Sequence, residues 1–217
     1  MLSIKNINVK YGDFIALKNI SLELKLKEHV AIIGPSGAGK STLLREIYRR
    51  IPTGANLIQQ QFALVPQLKT FHNVYIARLE RYSFFTNLCN LIKPNTQRYQ
   101  EILTILKDLG IENKILTPVS QLSGGEQQRV AIARALYHGG NIILGDEPIS
   151  AVDPHNSDII MSTLSNSNKT FIFSVHQVEV ALKFATRIIG MKDGQIFFDD
   201  APGNIKRSQI NNLYAPC

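Results

Sequence analysis

Two stretches near the start of the chain place an apolar residue at nearly every second position. They cover residues 2–9 and 20–26. Because successive side chains of a strand point to opposite faces, this pattern predicts two half-buried strands of an antiparallel layer. The turn residues Tyr11-Gly12-Asp13 lie between them and predict the connection.

Later apolar runs are short and unbroken, which is typical of strands buried on both faces. The first, His29 to Gly34, leads through a glycine-rich segment into a predicted helix, Lys40–Arg50. This helix should end at Ile51-Pro52, because proline cannot continue a helix. Strands alternating with helices predict a parallel sheet and an α/β fold class. The other strand-like runs cover residues 141–144, 170–175, 187–191 and 195–198.

The middle of the chain, from Leu57 to Ser120, is rich in Gln, Asn, Tyr and Phe. Apolar residues recur at helical spacing between Tyr99 and Leu109, so we predict a helix there. Thr96 is its predicted N-cap and Gly110 its predicted end. The chain is therefore expected to form one domain.

Within that domain, a mostly helical subdomain over about residues 74–120 would be inserted into a core formed by 1–56 and 121–217.

Composition narrows the classes of protein. The 217 residues are 44% hydrophobic and 19% charged, an ordinary globular balance. No stretch approaches the roughly 18 uninterrupted apolar residues of a membrane span, and the first residues lack a signal-peptide pattern. The net charge of +7 comes mostly from scattered residues, so nucleic acid is not an expected partner. We expect a cytosolic protein that would act at a membrane only through partners.

The segment Gly34–Ser41 matches the pattern G-x-x-x-x-G-K-[ST] of phosphate-binding loops. It follows a predicted strand and precedes a predicted helix, as that chemistry requires, because loop amides and the helix N-terminus attract phosphate. Lys40 is expected to reach the β- and γ-phosphates, and Ser41 to offer its hydroxyl to Mg²⁺. The expected nucleotide-binding residues are Gly34, Pro35, Ser36, Gly37, Ala38, Gly39, Lys40, Ser41 and Thr42.

Two acidic residues end the predicted strand at 141–144. Asp146 is expected at the sheet edge, where its carboxylate would help to hold Mg²⁺. Glu147 is the candidate base for an attacking water, since the next residue projects in a different direction. The alternative is that both acids simply belong to a solvated turn.

The run LSGGEQQR, Leu122–Arg129, resembles the signature motif of ATP-binding-cassette (ABC) transporter ATPase subunits. Together with the phosphate loop and the acid pair, the resemblance covers nearly the whole chain. It implies a P-loop NTPase (RecA-like) sheet with an antiparallel layer and an inserted helical subdomain. It also implies that two cassettes clamp two ATP molecules head to tail. The residues contacting the partner's γ-phosphate would be Ser123, Gly124, Gly125 and Glu126, with Ser123 at the start of a helix; the alternative is an ordinary N-capped helix.

The same resemblance assigns four further residues. His176 would be the switch histidine near the γ-phosphate, although a lone histidine after a strand is often structural. Asp153, in Ser150–Asp153, would belong to the D-loop at the dimer seam, unless that segment is only an Asp-Pro turn. Gln60 would be the Q-loop glutamine that contributes to catalysis and to Mg²⁺ binding, in competition with Gln59, Gln61 and Gln67. Tyr11 would stack on adenine, unless it is a core residue at a strand end.

Two departures from the family pattern stand out. Far fewer residues than usual separate Lys40 from Gln60, so a piece of the antiparallel layer is expected to be missing or rebuilt around the turn Pro52–Ala55. Gly145 replaces a larger residue before Asp146, at an expected cost of roughly 1 kcal/mol in strand stability. Neither departure removes a catalytic group, so an active ATPase is expected; a defective, purely binding cassette is the alternative.

The transported solute is indicated by weaker features. Residues 62–64, 73–74, 78–79, 82–85 and 174–177 are together similar to phosphonate-import cassettes. That resemblance implies a homodimer of cassettes, two integral membrane permease subunits and a periplasmic or lipid-anchored solute-binding protein, with the ATPase at the cytoplasmic face of the inner membrane. Alternatives are import of polar amino acids, export of lipoproteins or peptides, and a soluble ABC ATPase without transport.

Overall fold

A computed structural model describes residues 2–51, 54–59 and 62–215, and it has the α/β fold and two sheets. The strands are β1 (Leu2–Tyr11), β2 (Phe14–Leu24), β3 (His29–Ile33), β4 (Ala55–Ile58), β5 (Ile142–Asp146), β6 (Thr170–Ser174), β7 (Arg187–Lys192) and β8 (Gln195–Asp200). The α-helices are α1 (Lys40–Arg50), α2 (Thr70–Tyr75), α3 (Phe84–Ile92), α4 (Thr96–Asp108), α5 (Gly124–His138), α6 (Pro154–Ser165), α7 (Val178–Phe184) and α8 (Arg207–Tyr214). Within these residues no helix is both long and apolar enough to cross a bilayer.

Strands β1 and β2 form the predicted antiparallel layer, with Ile4 opposite Leu22. The second strand begins at Phe14, and the expectation of a start near residue 20 was wrong. Register shifts interrupt the pairing, and Asn6 and Asn19 have positive φ angles. Such irregularities break the strict alternation that sequence patterns depend on, so only the regular part of β2 was predicted.

The main sheet has the strand order β4-β5-β6-β3-β7-β8. Strands β5, β6, β3 and β7 are parallel, as predicted, but β8 is antiparallel to β7. The prediction of a parallel sheet is confirmed for these four strands, and the antiparallel pairing of the edge strand β8 was not predicted. Asp193 and Gly194 both have positive φ angles, which suits a tight two-residue hairpin turn, and no helix intervenes.

The shortened segment after α1 leads directly to β4, which lies at the edge of the main sheet and not in the antiparallel layer. Among the described strands, that layer contains β1 and β2 alone. Pro52 and Thr53 of the predicted turn lie outside the described residues. Helix α1 contributes Leu43 and Leu44 to a buried apolar cluster that also contains residues of both sheets.

The chain divides into two compact units, and the second consists of Ile58–Gly140 and Ile149–Ser167. This unit contains helices α2 to α6, because α5 packs against α2 and α4. It is larger than the subdomain of about 74–120 expected from the sequence, and it includes helix α5, which begins within the LSGGEQQR run. The first unit contains both sheets with α1, α7 and α8.

Helix α4 lies where its apolar spacing predicted it, but its N-cap is Asn95 and the prediction of Thr96 was wrong. The Asn95 side chain accepts hydrogen bonds from the amides of Gln97 and Arg98, at 3.0 and 3.3 Å. Asparagine and threonine are both good N-cap residues, and here Asn95 satisfies two amides of the first turn. Gly110 has a φ angle of 66°, as expected of a residue that ends a helix.

Candidate functional site

The carboxyl ends of three neighbouring parallel strands converge in the first unit. Strand β3 runs into the glycine-rich loop, β5 ends at Asp146, and β6 is followed by His176. Because these strands are adjacent in the order β5-β6-β3, residues distant in sequence share one sheet edge. Ligands of open α/β sheets bind at such edges.

The glycine-rich loop has the backbone that its composition predicts. Gly37 and Gly39 have φ angles of 81° and 97°, and a Cβ added at Gly39 would lie 2.6 Å from the Ala16 carbonyl oxygen. The Lys40 ammonium donates hydrogen bonds to the carbonyls of Gly34 (2.7 Å) and Pro35 (3.0 Å). Burial lowers the pKa of Lys40, while Glu147 and Asp146 act in the opposite direction. The loop thus encloses a cation whose bonding partners are neutral carbonyls.

A cavity of about 410 Å³ brings together most of the residues singled out from the sequence. Tyr11 is 53% exposed, so the alternative of a core tyrosine was wrong. Phe14 also lines the cavity and was missed, because it belongs to the part of β2 that was not predicted. The lining residues are Tyr11, Phe14, Ala16, Ser36, Gly37, Ala38, Gly39, Lys40, Ser41, Thr42, Glu147 and His176.

Asp146 and Ser41 lie together beside this cavity, with the Ser41 hydroxyl donating to Asp146 Oδ1 at 2.9 Å. A hydroxyl and a carboxylate are hard oxygen donors, which Mg²⁺ prefers. No group of three or more His, Cys, Asp or Glu side chains able to hold a metal occurs in the described part of the chain. The Ser41 hydroxyl and the Asp146 carboxylate fit a Mg²⁺ ion that takes its remaining ligands from water and nucleotide phosphates.

Glu147 adopts an uncommon backbone conformation, with a φ angle of 52°. This left-handed conformation costs a non-glycine residue about 1 kcal/mol or more, and such strain concentrates at functional sites. Its carboxylate lies 2.6 Å from Nε2 of His176, so the two side chains can share a proton. The alternative of a solvated turn does not account for this pairing.

Gly145 has a packing role that its strand propensity does not indicate. A Cβ added there would lie 3.0 Å from Cγ and 3.1 Å from Cβ of Pro148. The glycine leaves room for the proline ring that follows Glu147. Glycine is expected to lower the stability of the strand, but a larger residue at this position would disturb the close contact with Pro148.

Ser174 is a further residue of this edge that sequence patterns did not reveal. It ends strand β6 and is fully buried. Its hydroxyl donates to Asp146 Oδ1 at 2.9 Å and accepts from the Glu147 amide at 2.9 Å. The register that places Ser174 opposite Asp146 could have been found only from the sheet pairing.

In the second unit, the LSGGEQQR run begins helix α5 with Ser123 as its N-cap, as predicted. Ser123 and Glu126 form a capping box in which Glu126 Oε2 accepts from the Ser123 amide at 2.8 Å. This backbone hydrogen bond and the pairing with Lys114 keep the pKa of Glu126 below its usual value, although partial burial opposes them. Glu126 therefore stabilises the start of helix α5.

The predicted D-loop segment packs against that helix start within the second unit. A Cβ added at Gly125 would lie 3.1 Å from Cγ1 of Val152, and the buried Gln128 side chain accepts from the Ala151 amide at 3.1 Å. Asp153 is the N-cap of α6 and accepts from the Asn156 amide at 3.1 Å. Capping α6 is a local role that an Asp-Pro turn would also give Asp153. The assignment of Asp153 to the D-loop stays a prediction.

Gln60, the predicted Q-loop glutamine, lies outside the described residues, as does its competitor Gln61. The segment that follows is held by Arg134, whose guanidinium donates to the carbonyls of Ala63 (2.7 Å) and Phe62 (2.6 Å). Ala63 has a φ angle of 48°, so this anchor holds a strained backbone. The residue pattern around Arg134 did not predict that this side chain anchors residues 62 and 63.

Comparison with known proteins supplies the family. The profile of the ABC transporter family matches residues 17–150. The chain belongs to the ABC transporter family. The ABC cassettes most similar to it include the phosphonates import ATP-binding protein PhnC 2 of Oceanobacillus iheyensis, 38% identical over 99% of this chain and 95% of the relative. The phosphonates import ATP-binding protein PhnC 1 of Trichodesmium erythraeum is 39% identical, with the same coverage.

A solved ABC cassette, dimeric in a post-hydrolysis state with bound ADP and phosphate, is also similar. It has a TM-score of 0.77 and 32% identity over 93% of this chain and 99% of that chain. This ABC chain is accordingly an ATPase. The alignment to the Oceanobacillus cassette spans 245 positions, more than the 217 residues present here, so part of that relative has no counterpart in this chain.

Proposed function

We propose that this ABC ATPase is the energy-supplying subunit of an importer for phosphonates or a related organic anion. The observation that carries the ATPase part is the cavity where the phosphate loop, Glu147 and His176 meet. The solute is supported by the relatives, which are phosphonate-import proteins. Operating at the cytoplasmic face of the inner membrane, the cassette would work as a homodimer with two permease subunits and a periplasmic or lipid-anchored binding protein.

The proposed functional residues divide the work of hydrolysis. Lys40 and the loop amides bind the phosphates, and Ser41 and Asp146 hold Mg²⁺ with a contribution from Gln60. Mg²⁺ supplies positive charge that offsets the charge of the phosphates. Glu147 orients the attacking water and accepts its proton, while His176 hydrogen-bonds to Glu147 and faces the γ-phosphate. Ser123 to Gly125 close over the nucleotide of the partner, and Asp153 lies at the seam.

An apolar groove of about 350 Å³ in the second unit supports the permease as a partner. Helix α3 contributes Phe84, Leu88 and Leu91 to it, and the neighbouring Phe85 and Ile92 are 77% and 83% exposed. A contiguous exposed apolar patch of this kind is typical of an interaction surface. A cytoplasmic helix of the permease would cover it.

The proposal is tested with the cassette reconstituted in liposomes with the permease pair and the binding protein of a phosphonate importer. A phosphonate should stimulate ATP hydrolysis when the binding protein is present, and a polar amino acid should not. Stimulation by an amino acid would overturn the phosphonate assignment. Failure of the cassette to associate with any permease, while it hydrolyses ATP alone, would favour a soluble ABC ATPase.

Tyr11 should contribute to nucleotide affinity by stacking on the base. Tyr11→Ala is expected to weaken ATP binding by roughly tenfold, in line with the loss of one base–aromatic contact. Titration of a fluorescent ATP analogue measures this. Tyr48→Ala is the control, because Tyr48 is 42% exposed on α1 and does not line the cavity. If Phe14→Ala weakens binding and Tyr11→Ala does not, the stacking residue is Phe14.

A further inference from the structure

Ser174 is a buried hydroxyl placed between the two acidic residues of the site. It is fully inaccessible to solvent at the end of β6, directly opposite Asp146 in the sheet register. A buried hydroxyl in a strand of apolar neighbours needs hydrogen-bond partners, and this one has two. One is the Asp146 carboxylate and the other is the amide of Glu147.

The two hydrogen bonds constrain different properties of the site. The bond to Asp146 Oδ1 fixes the carboxylate on the side where Ser41 also donates to it. The bond from the Glu147 amide holds the residue in its left-handed conformation, from which its side chain reaches His176. Without this acceptor, the Glu147 amide would lose a partner at the point where the backbone is most strained.

We propose that Ser174 is a positioning residue for hydrolysis, which sets the direction of the Asp146 carboxylate and the backbone of Glu147 through one hydroxyl. The inference rests on the proposed roles of Asp146 and Glu147. It makes the end of β6 part of the catalytic apparatus through geometry, since Ser174 itself touches neither water nor nucleotide in this role. Removal of a supporting hydrogen bond of this kind commonly costs about 10- to 100-fold in activity or metal affinity.

The test replaces Ser174 by alanine, by the nearly isosteric cysteine and by threonine, which keeps the hydroxyl. In the Ser174→Ala and Ser174→Cys proteins kcat at saturating Mg-ATP should fall about 10-fold or more. Threonine should retain most of the activity. A second readout needs no turnover: nucleotide affinity without Mg²⁺ should be unchanged, and the gain in affinity on adding Mg²⁺ should be smaller in both hydroxyl-free variants.

Thr170→Val is the matched control. Thr170 begins the same strand, is equally buried, and accepts from the Lys27 amide at 2.8 Å. If the role of Ser174 were purely structural, substitutions at both positions would lower the unfolding midpoint. They would then affect kcat and the Mg²⁺ response equally. An equal kcat loss in Thr170→Val, or wild-type kcat and Mg²⁺ response in folded Ser174→Cys, would overturn the inference. Normal turnover in Glu147→Gln would overturn the proposed role of Glu147 instead, and absence of ATP hydrolysis in the wild-type protein would overturn the proposed function, so these failures are distinguishable.

Discussion

Replacing Glu147 by glutamine should leave ATP binding nearly unchanged and slow hydrolysis by about 10²- to 10⁴-fold, the usual contribution of a general base. Glutamine preserves the size of the side chain and can still hydrogen-bond to His176, now 2.6 Å from the carboxylate. It cannot accept the proton of the attacking water. This single substitution thus separates ATP binding from ATP hydrolysis.

The same substitution should trap the cassette as an ATP-bound dimer, because closure needs the nucleotide and reopening needs its hydrolysis. Single-turnover hydrolysis measures the chemical step, and sedimentation with and without ATP measures the dimer. Glu179→Gln is the control, since it makes the same chemical change at an exposed position on α7. Wild-type turnover in Glu147→Gln would remove Glu147 from the role of base, and His176 would then be the next candidate.

The parts of this site that the sequence predicted are those built from one continuous segment. The loop Gly34–Ser41 specifies its own backbone through its glycines, so motif and structure coincide. The N-cap Ser123 is similar, because its partner Glu126 lies three residues away. Local hydrogen bonds can be predicted from spacing alone.

The parts that escaped prediction depend on contacts between distant residues. Ser174 acquires its partners through the register of β6 with β5, and Arg134 reaches carbonyls of residues 62 and 63 from helix α5. Phe14 was missed because bulges obscured the start of β2. In each case the residue type gives no signal of a functional role, and only the tertiary structure gives the residue its position.

The second large effect is expected at Gly124, the first residue of helix α5. A Cβ there would meet no atom of the described part of the chain within 4 Å, so Gly124→Asp should fold normally. An acidic residue even suits the first turn of a helix. In the proposed dimer, however, the new carboxylate would face the γ-phosphate of the partner's ATP. Hydrolysis should fall about 100-fold through repulsion and loss of stabilising amides.

Gly203→Asp supplies the control, because Gly203 is equally open in the described structure and lies far along the chain from α5. Unfolding midpoints should be close to wild type for both variants. ATP binding to isolated Gly124→Asp should also be unchanged, because each chain binds ATP with its own Lys40. A matching loss of activity in Gly203→Asp would trace the effect to net charge and not to the signature.

Mixing Gly124→Asp with the equally inactive Lys40→Ala tests whether the signature acts across the dimer. In a mixed dimer, the intact phosphate loop of the first chain faces the intact signature of the second, so one of the two sites is complete. Random exchange should then restore about a quarter of wild-type activity, since half of the dimers are mixed and each has one working site. If each signature served its own chain's nucleotide, no mixed dimer would contain a complete site and activity would stay at background. Recovery of activity therefore requires head-to-tail pairing. If the dimers exchange subunits and activity is not recovered, head-to-tail pairing is contradicted.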